Sequence, residues 1–152
     1  MPSVVWFPAA IVLFGQSESS IMFVVVLGAA PSIANGLIGG IDQIPPLTLR
    51  AGRALGARGV AYYRRIVLPA ALPGFVSGMK QAWAFAWRSL MAGELIVHTA
   101  GIGSVMELAR SNIEYPLMYA SLIVVLIIGL AADSFVFGRL ERAVQRRWGL
   151  AP

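Results

Sequence analysis

The sequence predicts an all-α, polytopic integral membrane protein, and three observations support this fold class. Of the 152 residues, 58% are hydrophobic and only 12% are charged, whereas a soluble domain carries about 25% charged residues. The apolar residues are gathered into long runs and do not form the periodic faces of a water-soluble core. Apart from Lys80 and Arg88, the basic residues lie outside these runs. We therefore expect one transmembrane domain over residues 1–152, a helical bundle that buries its apolar side chains in lipid.

Four apolar segments follow one another along the chain. Val4–Phe14 is unbroken but has only eleven residues, whereas a helix that crosses the bilayer needs about 20. Ile21–Ile41, Ala70–Val97 and Tyr115–Phe137 are all long enough. Pro31 and several glycines lie within the first of these three, and membrane helices tolerate them where neighbouring helices pack closely. The sequence therefore predicts three complete spans and one partial span.

The charges of the connecting segments predict the orientation of the spans. Residues 42–69 contain five arginines and one acidic residue, and residues 138–152 contain four arginines and one acidic residue. Residues 93–116, in contrast, contain three glutamates and one arginine. Because short segments rich in Lys and Arg stay in the cytoplasm, we expect the 42–69 loop and the 138–152 tail to be cytoplasmic and residues 93–116 to lie outside. This distribution accounts for the net charge of +5 without a nucleic-acid partner.

The sequence favours a protein without catalytic chemistry of its own. It contains no cysteine, which excludes disulfides and thiolate catalysis, and no carboxylate pair, catalytic triad or metal-ligand cluster is evident. His98 is the single histidine and has no metal-ligating neighbours in the sequence. Gly101–Gly103 reads GIG but lacks the lysine and further glycine of a phosphate loop. No Lys or Arg precedes Arg50, so the apolar start is not a secretory signal and we expect it to be retained.

The 42–69 loop has the pattern of two short helices around a glycine. Pro45 and Pro46 end the preceding span and favour a new helix over Leu47–Leu55, with Gly56 near its end. Residues 58–67 form a second helical segment, and Pro69 either stops it or begins the next span. Small residues are expected to keep the surface of the loop small and so let a partner's backbone approach closely, namely Ala51, Gly52, Ala54, Gly56 and Ala57. Tyr62 and Tyr63 supply large anchors.

The third apolar segment carries a polar stripe. On a helical wheel, Trp83, Trp87, Met91 and Glu94 fall within about 60° of Lys80, and Arg88 lies at the edge of this face. One reading is that these six residues line a solute path that favours anions, since charges inside a span are costly and face a cavity or a partner. The other is that Lys80 and Glu94 reach the two membrane interfaces and the tryptophans anchor there.

Two features near the end of the chain predict structural roles. Asp133, near the cytoplasmic end of the last span, is expected to pair with a basic group. The segment RLERAVQRRW continues the last span as a helix, with Leu140, Val144 and Trp148 on one face and arginines around it. It has the pattern of an anchor at the membrane interface.

Several motifs, in order, resemble one family of membrane proteins. Gly56, Ile66, Leu68 and Pro69 have the spacing of the EAA loop in permease subunits of binding-protein-dependent ABC importers, where E-A-A precedes the glycine and I-x-L-P ends the motif. PSVVWFPAAIVLFG at the start, LPGFVSGMKQAWAFAWRSLMAGELI and the GIG motif are similar to the branch that imports nitrate, sulfonates and taurine. The resemblance covers nearly the whole chain. Where the family has glutamate and a second alanine, this chain has Arg50 and Gly52.

The resemblance implies a type I importer permease in the bacterial cytoplasmic membrane. It implies a second permease subunit, expected to be another copy of this chain, a solute-binding protein outside, and a cytoplasmic ATPase dimer that alone binds ATP and Mg²⁺. The residues implied in ATPase coupling are Arg50, Ala51, Gly52, Gly56, Ala57, Tyr62, Ile66, Leu68 and Pro69.

The resemblance also indicates what the chain transports and where it departs from its family. The expected solute is a small anion such as a sulfonate or nitrate. An amino acid, a cation or a heterocycle is the alternative within the same architecture. Because relatives carry further amino-terminal spans, a truncated or split permease is expected, and a membrane scaffold or remnant that transports nothing is the alternative from another class.

Overall fold

The computed structural model describes residues 3–147 of the chain and is helical throughout, with no strand among those residues. A 3₁₀ turn over Ser3–Trp6 leads into the first α-helix. The α-helices are α1 (Phe7–Phe14), α2 (Glu18–Asp42), α3 (Pro46–Ala54), α4 (Gly59–Tyr62), α5 (Leu68–Val97), α6 (Ile102–Ser111), α7 (Tyr115–Ala131) and α8 (Gly138–Arg147). Two π-helical stretches, Tyr63–Val67 and Ala132–Phe137, join α4 to α5 and α7 to α8. The predicted all-α polytopic fold is confirmed.

The membrane-crossing helices are close to those predicted. Within the described residues, Glu18–Asp42 and Tyr115–Val144 are each long and apolar enough to cross a bilayer. Gly59–Val97 meets the same test only together with Ile102–Ser111, from which it is bent by 46°. The predicted span Ala70–Val97 is therefore part of a bent pair of helices. Ser3–Phe14 is apolar but short, as expected of the partial span.

Glycine residues bring α2 and α5 into close antiparallel contact. A Cβ at Gly36 would collide with the Gly78 backbone, and one at Gly40 would lie 2.6 Å from the Ala71 carbonyl oxygen. Gly74 meets Gly40 in the same way. Small residues at every fourth position let two membrane helices pack backbone to backbone. We call this contact, formed by Gly36, Gly40, Gly74 and Gly78, the glycine seam.

The amino-terminal segment packs against the outer end of this helix pair, where "outer" refers to the predicted orientation. Phe7 and Ala10 are buried with Ile21, Val24 and Val97 in one apolar cluster. Ser3 and Ser89 share a buried hydrogen bond of 2.7 Å between their hydroxyl oxygens. A polar pair of this kind is satisfied within the protein and so can be buried at little cost.

Of the two alternatives for Pro69, the structure supports the one in which it begins the next span and not the one in which it stops the helical segment. The helix runs without a break from Gly59 to Val97, and Pro69 lies in the first turn of α5. Proline cannot donate a backbone hydrogen bond. The preceding turn has widened to a π-helix instead, in which the Leu68 N–H donates to the Tyr63 carbonyl. The second segment of the 42–69 loop and the following span are therefore one continuous rod.

The last helix, Tyr115–Val144, is also continuous and extends into the tail as predicted. It passes through a π-helical stretch and leads into α8. Val144 is buried and Leu140 is partly exposed, whereas Trp148, the third residue of the predicted face, lies outside the described residues. Residues 93–116 were expected to be a loop but contain α6, which the sequence analysis missed.

Candidate functional site

The turn at Gly56 fixes the path of the 42–69 loop. The Gly56 N–H donates to the Arg53 carbonyl at 3.0 Å and the Ala57 N–H donates to the Gly52 carbonyl at 3.2 Å, the hydrogen-bond pattern of a Schellman motif. Gly56 has a φ of +84°, a conformation that costs other residues energy. A Cβ there would meet no atom within 4 Å. Gly56 is therefore required by its backbone conformation and not by close packing.

Gly52 joins the two halves of the loop. It is buried, and a Cβ at this position would collide with the side chain of Ile66. The sequence hypothesis placed Gly52 among small surface residues, and this was wrong, because the residue lies in the interior of the loop. Gly52 thus brings α3 close to the helix that begins at Gly59.

The exposed surface of the 42–69 loop is apolar at several positions. Leu47, Leu55 and Val60 are 77%, 88% and 81% exposed, and Tyr63 is 61% exposed. Tyr62, in contrast, packs on the cluster of Ile44, Val67 and Ala71. Of the coupling residues inferred from the resemblance, Arg50, Ala51, Gly56 and Leu68 are exposed, and Ala57, Tyr62, Ile66 and Pro69 are partly buried. Their role in ATPase coupling stays a prediction.

The tryptophans of the polar stripe pack against the last helix. Trp83 and Trp87 stack with centroids 5.7 Å apart at 23°, and Phe137 lies 6.1 Å from Trp83. A cavity of about 270 Å³ lies beside them. It is lined by Trp83, Ala84, Trp87, Arg88, Val125, Leu126, Gly129, Leu130 and Asp133. Among these lining residues the Arg88 guanidinium can bind an anionic group, whereas the aromatic faces and the Asp133 carboxylate attract cations.

Lys80 makes two ion pairs with the last helix. Its Nζ lies 3.5 Å from Asp133 Oδ2 and 3.9 Å from Glu141 Oε2. The predicted pairing of Asp133 with a basic group is confirmed. We call the contact that Lys80, Trp83 and Trp87 make with Asp133 and Phe137 the aromatic seam. Lys80 is thus engaged by two carboxylates of the same subunit.

Glu94 lies apart from the other stripe residues. Its Oε2 accepts a hydrogen bond of 2.7 Å from the Gly103 N–H, at the first turn of α6, where free backbone N–H groups favour a carboxylate. A Cβ at Gly103 would lie 2.6 Å from the Glu94 Cβ, and Gly101 is also packed on the carboxylate. The GIG motif therefore makes room for Glu94 at the bend between α5 and α6.

The predicted path residues thus do not all lie together in the structure. Lys80, Trp83, Trp87 and Arg88 lie near the last helix, Glu94 binds α6, and Met91 is half-buried. That any of the six lines a solute path stays a prediction.

Sequence reasoning missed a second cluster of polar residues on α2 and α5. Asn35, Gln43, Ser77 and Gln81 line one groove between these two helices. The available indication was that Asn35, Ser77 and Gln81 are uncharged polar residues inside two apolar runs. A helical wheel describes one helix at a time, so a wheel of α5 centred on Lys80 cannot show that α2 contributes to the same groove.

Comparison with known proteins is consistent with this architecture. A family model described as "Binding-protein-dependent transport system inner membrane component" matches residues 1–149. A probable ABC transporter permease of Brucella melitensis is 31% identical over 97% of this chain and 58% of its own length. The taurine transport system permease of Escherichia coli is 27% identical over 97% of this chain and 52% of its own.

A further relative is the nitrate import permease of Synechocystis, 27% identical over 90% of this chain and 50% of its own length. The chain spans about half to three fifths of the length of the relatives it matches.

Proposed function

Because the chain belongs to the family of inner-membrane components of binding-protein-dependent transport systems, we propose that it acts as a permease subunit of an ABC importer. In this proposal it lies in the bacterial cytoplasmic membrane with its carboxyl terminus in the cytoplasm. It pairs with a second permease subunit, another copy of itself, and receives solute from an external solute-binding protein. ATP and Mg²⁺ bind to a cytoplasmic ATPase dimer and not to this chain.

The observation that carries the proposal is the exposed apolar surface of the 42–69 loop. Leu47, Leu55 and Val60 are each more than three-quarters exposed, although the loop's charge predicts that it lies in water. Beside them is a groove of about 490 Å³ lined by Leu47, Thr48, Ala51, Gly52, Leu55, Arg65, Ile66 and Ala70. Exposed apolar side chains gathered in this way favour a protein partner.

The loop can also transmit force. Gly52 holds α3 against Ile66, and Ile66 belongs to the continuous helix Gly59–Val97. A displacement of α3 by an ATPase would therefore act on this helix directly, since the loop segment and the span belong to one continuous helix. Such a coupled element is what a nucleotide-driven switch between two transport states requires.

The proposed solute is a small organic or inorganic anion. Two relatives are named for the transport of taurine and the import of nitrate. Arg88 is the positively charged group at the cavity of the aromatic seam, which Asp133 also lines, and its guanidinium can form charge-assisted hydrogen bonds with an anion.

Copurification tests the coupling step. The tagged chain, coexpressed with the ATPase of its own organism, is compared with Leu55→Ser in the loop and with Leu108→Ser as a matched control. Leu108 is 62% exposed on α6, far along the chain from the loop. We expect Leu55→Ser to reduce the recovered ATPase by about tenfold, the effect of losing an interface anchor, and Leu108→Ser to retain it.

Retention of the ATPase by Leu55→Ser, or equal loss in both variants, would contradict coupling through this surface. Taurine and nitrate are then added with the solute-binding protein to the assembled complex. Stimulation of ATP hydrolysis by the nitrate anion, or by taurine, a zwitterion that carries a sulfonate group, supports an oxyanion-bearing solute, and stimulation only by a cation or an uncharged heterocycle overturns it.

A further inference from the structure

A polar groove opens between α2 and α5 on the flank of the glycine seam. Its volume is about 350 Å³. Asn35, Gln43, Ser77 and Gln81 line it together with glycines of both helices and Pro73. None of these lining residues is charged. The four polar side chains are all exposed among the described residues, so their donors and acceptors face the groove or the surface.

The groove lies between two membrane-crossing helices, and this position limits what its polar side chains can contact. Asn35 is about 10 Å from the end of α2 at Asp42 by helix rise, which places it within the span Glu18–Asp42. A side-chain amide or hydroxyl that faces lipid loses its hydrogen bonds at a cost of several kcal/mol. Polar groups at this depth therefore face a water-filled path or a partner, and they are functional candidates.

We propose that this groove is a section of the solute path, and that it takes small oxyanions such as sulfonates or nitrate through neutral hydrogen-bond donors. The inference rests on the proposed function and adds the surface along which the solute moves. The amides of Asn35 and Gln81 and the hydroxyl of Ser77 donate to anion oxygens. No carboxylate is present among the lining residues, so a metal or organic cation finds no counter-charge.

Neutral donors suit passage better than a fixed charge would. A path must bind its solute well enough to admit it and weakly enough to release it. Lys80 cannot serve in the groove while it pairs with Asp133 and Glu141 on the last helix. The groove shares no lining residue with the cavity of the aromatic seam, so its neutral donors are solute contacts additional to Arg88.

Gly39 offers a way to block the groove without disturbing the glycine seam. It lines the groove, and a Cβ there would meet only the Gln43 amide nitrogen at 4.0 Å. Ala34 is exposed on the same helix but does not line the groove. We expect Gly39→Phe to lower the uptake of taurine or nitrate by about tenfold or more, because the ring fills the path, while Ala34→Phe transports as the wild type does.

Both variants must show wild-type membrane levels and ATPase recovery, which separates a blocked path from a misfolded protein. Equal uptake by Gly39→Phe and Ala34→Phe overturns the groove assignment and leaves the importer proposal intact. Failure of the wild type itself to take up any solute with its partners counts against the importer proposal instead.

Substituted-cysteine labelling tests the same surface without transport, since the chain has no native cysteine. Asn35→Cys and Ala34→Cys are neighbours on different faces of α2 and at the same depth. The probe is methanethiosulfonate ethylsulfonate, a water-soluble reagent that is itself a sulfonate. In the complex in membrane vesicles open to both sides, we expect Asn35→Cys to react about tenfold faster than Ala34→Cys, because only the former faces the aqueous path.

Protection of Asn35→Cys by added taurine or nitrate is the further expected result. Equal reaction rates at the two positions overturn the proposal.

Discussion

α5 makes two long contacts, one with α2 and one with the last helix, and different kinds of residue form them. Towards α2 it presents glycines, and the two backbones touch with no side chain between them. Towards the last helix it presents tryptophans and a lysine, which leave a cavity of about 270 Å³ and form ion pairs of 3.5 Å and 3.9 Å. The glycine seam is fixed by shape, whereas the aromatic seam is held by long side chains that have other rotamers available.

This difference indicates which parts can move together. Backbone contact tolerates no intermediate arrangement, because any rotation of one helix drives its neighbouring side chains into the other. α2 and α5 should therefore behave as one rigid unit, to which the 42–69 loop is attached through Ile66. The last helix can slide on this unit at smaller cost, since stacked rings and exposed ion pairs can re-form after a shift.

The strongest test of the comparison inserts a side chain into the glycine seam. Overpacking typically destabilises a protein by about 1–3 kcal/mol. Gly36→Leu should reach the upper end of this range or exceed it, because the obstacle is the Gly78 backbone. Gly39→Leu, on the same helix, is the control, since a side chain has open space there. Thermal unfolding in detergent and the yield of monodisperse protein are the measurements. Equal Tm values for the two variants would refute the rigid seam.

A double-mutant cycle measures the ionic part of the aromatic seam. Lys80→Met and Asp133→Asn should each destabilise, and their coupling energy should be about 0.2–1 kcal/mol, because both side chains are more than 40% exposed and the attraction is screened where water reaches them. Trp83 and Trp87 report unfolding by their fluorescence. A coupling energy of several kcal/mol would mean that lipid excludes water from the pair and that this seam is as rigid as the other. Additive single effects would mean that the pair contributes nothing.

The sequence predicted the helices better than their contacts. Apolar runs of the required length are determined locally, so the spans beginning near Ile21 and Tyr115 were found close to their observed bounds. α6 was missed because it is short and lies in a segment with several charges. Its first turn is also stabilised by Glu94, a tertiary contact that no local pattern contains.

The site residues show the same limit. Gly52 was placed on the surface because a small residue in a polar loop suggests close approach by a partner, whereas the partner is Ile66 of the same loop. Lys80 was assigned to a path because its helix was treated alone, and its two carboxylate partners come from the last helix. Asp133 was expected to find a basic partner because an unpaired carboxylate in a span is costly, and that general argument was sufficient.

The smallest expected effect is that of a glycine-to-alanine substitution made once in each seam. It distinguishes the two seams most clearly, because the same substitution should change stability in opposite directions. Alanine favours a helix over glycine by about 1 kcal/mol. At Gly129 in the last helix, a Cβ would lie 3.3 Å from Trp87 Nε1 at the edge of a cavity, where the indole can shift. Gly129→Ala should therefore leave the Tm unchanged or raise it slightly.

At Gly40, the new Cβ would lie 2.6 Å from the Ala71 carbonyl oxygen and 3.2 Å from the Gly74 Cα. These are backbone atoms of a continuous helix, so relief requires the two helices to separate along the whole seam. Gly40→Ala should therefore lower the Tm despite the gain in helix propensity. If both variants gain stability, the backbone contact is looser than the structure shows and the two contacts of α5 do not differ in kind. Opposite signs would instead identify α2 and α5 as the unit that a displaced 42–69 loop carries with it.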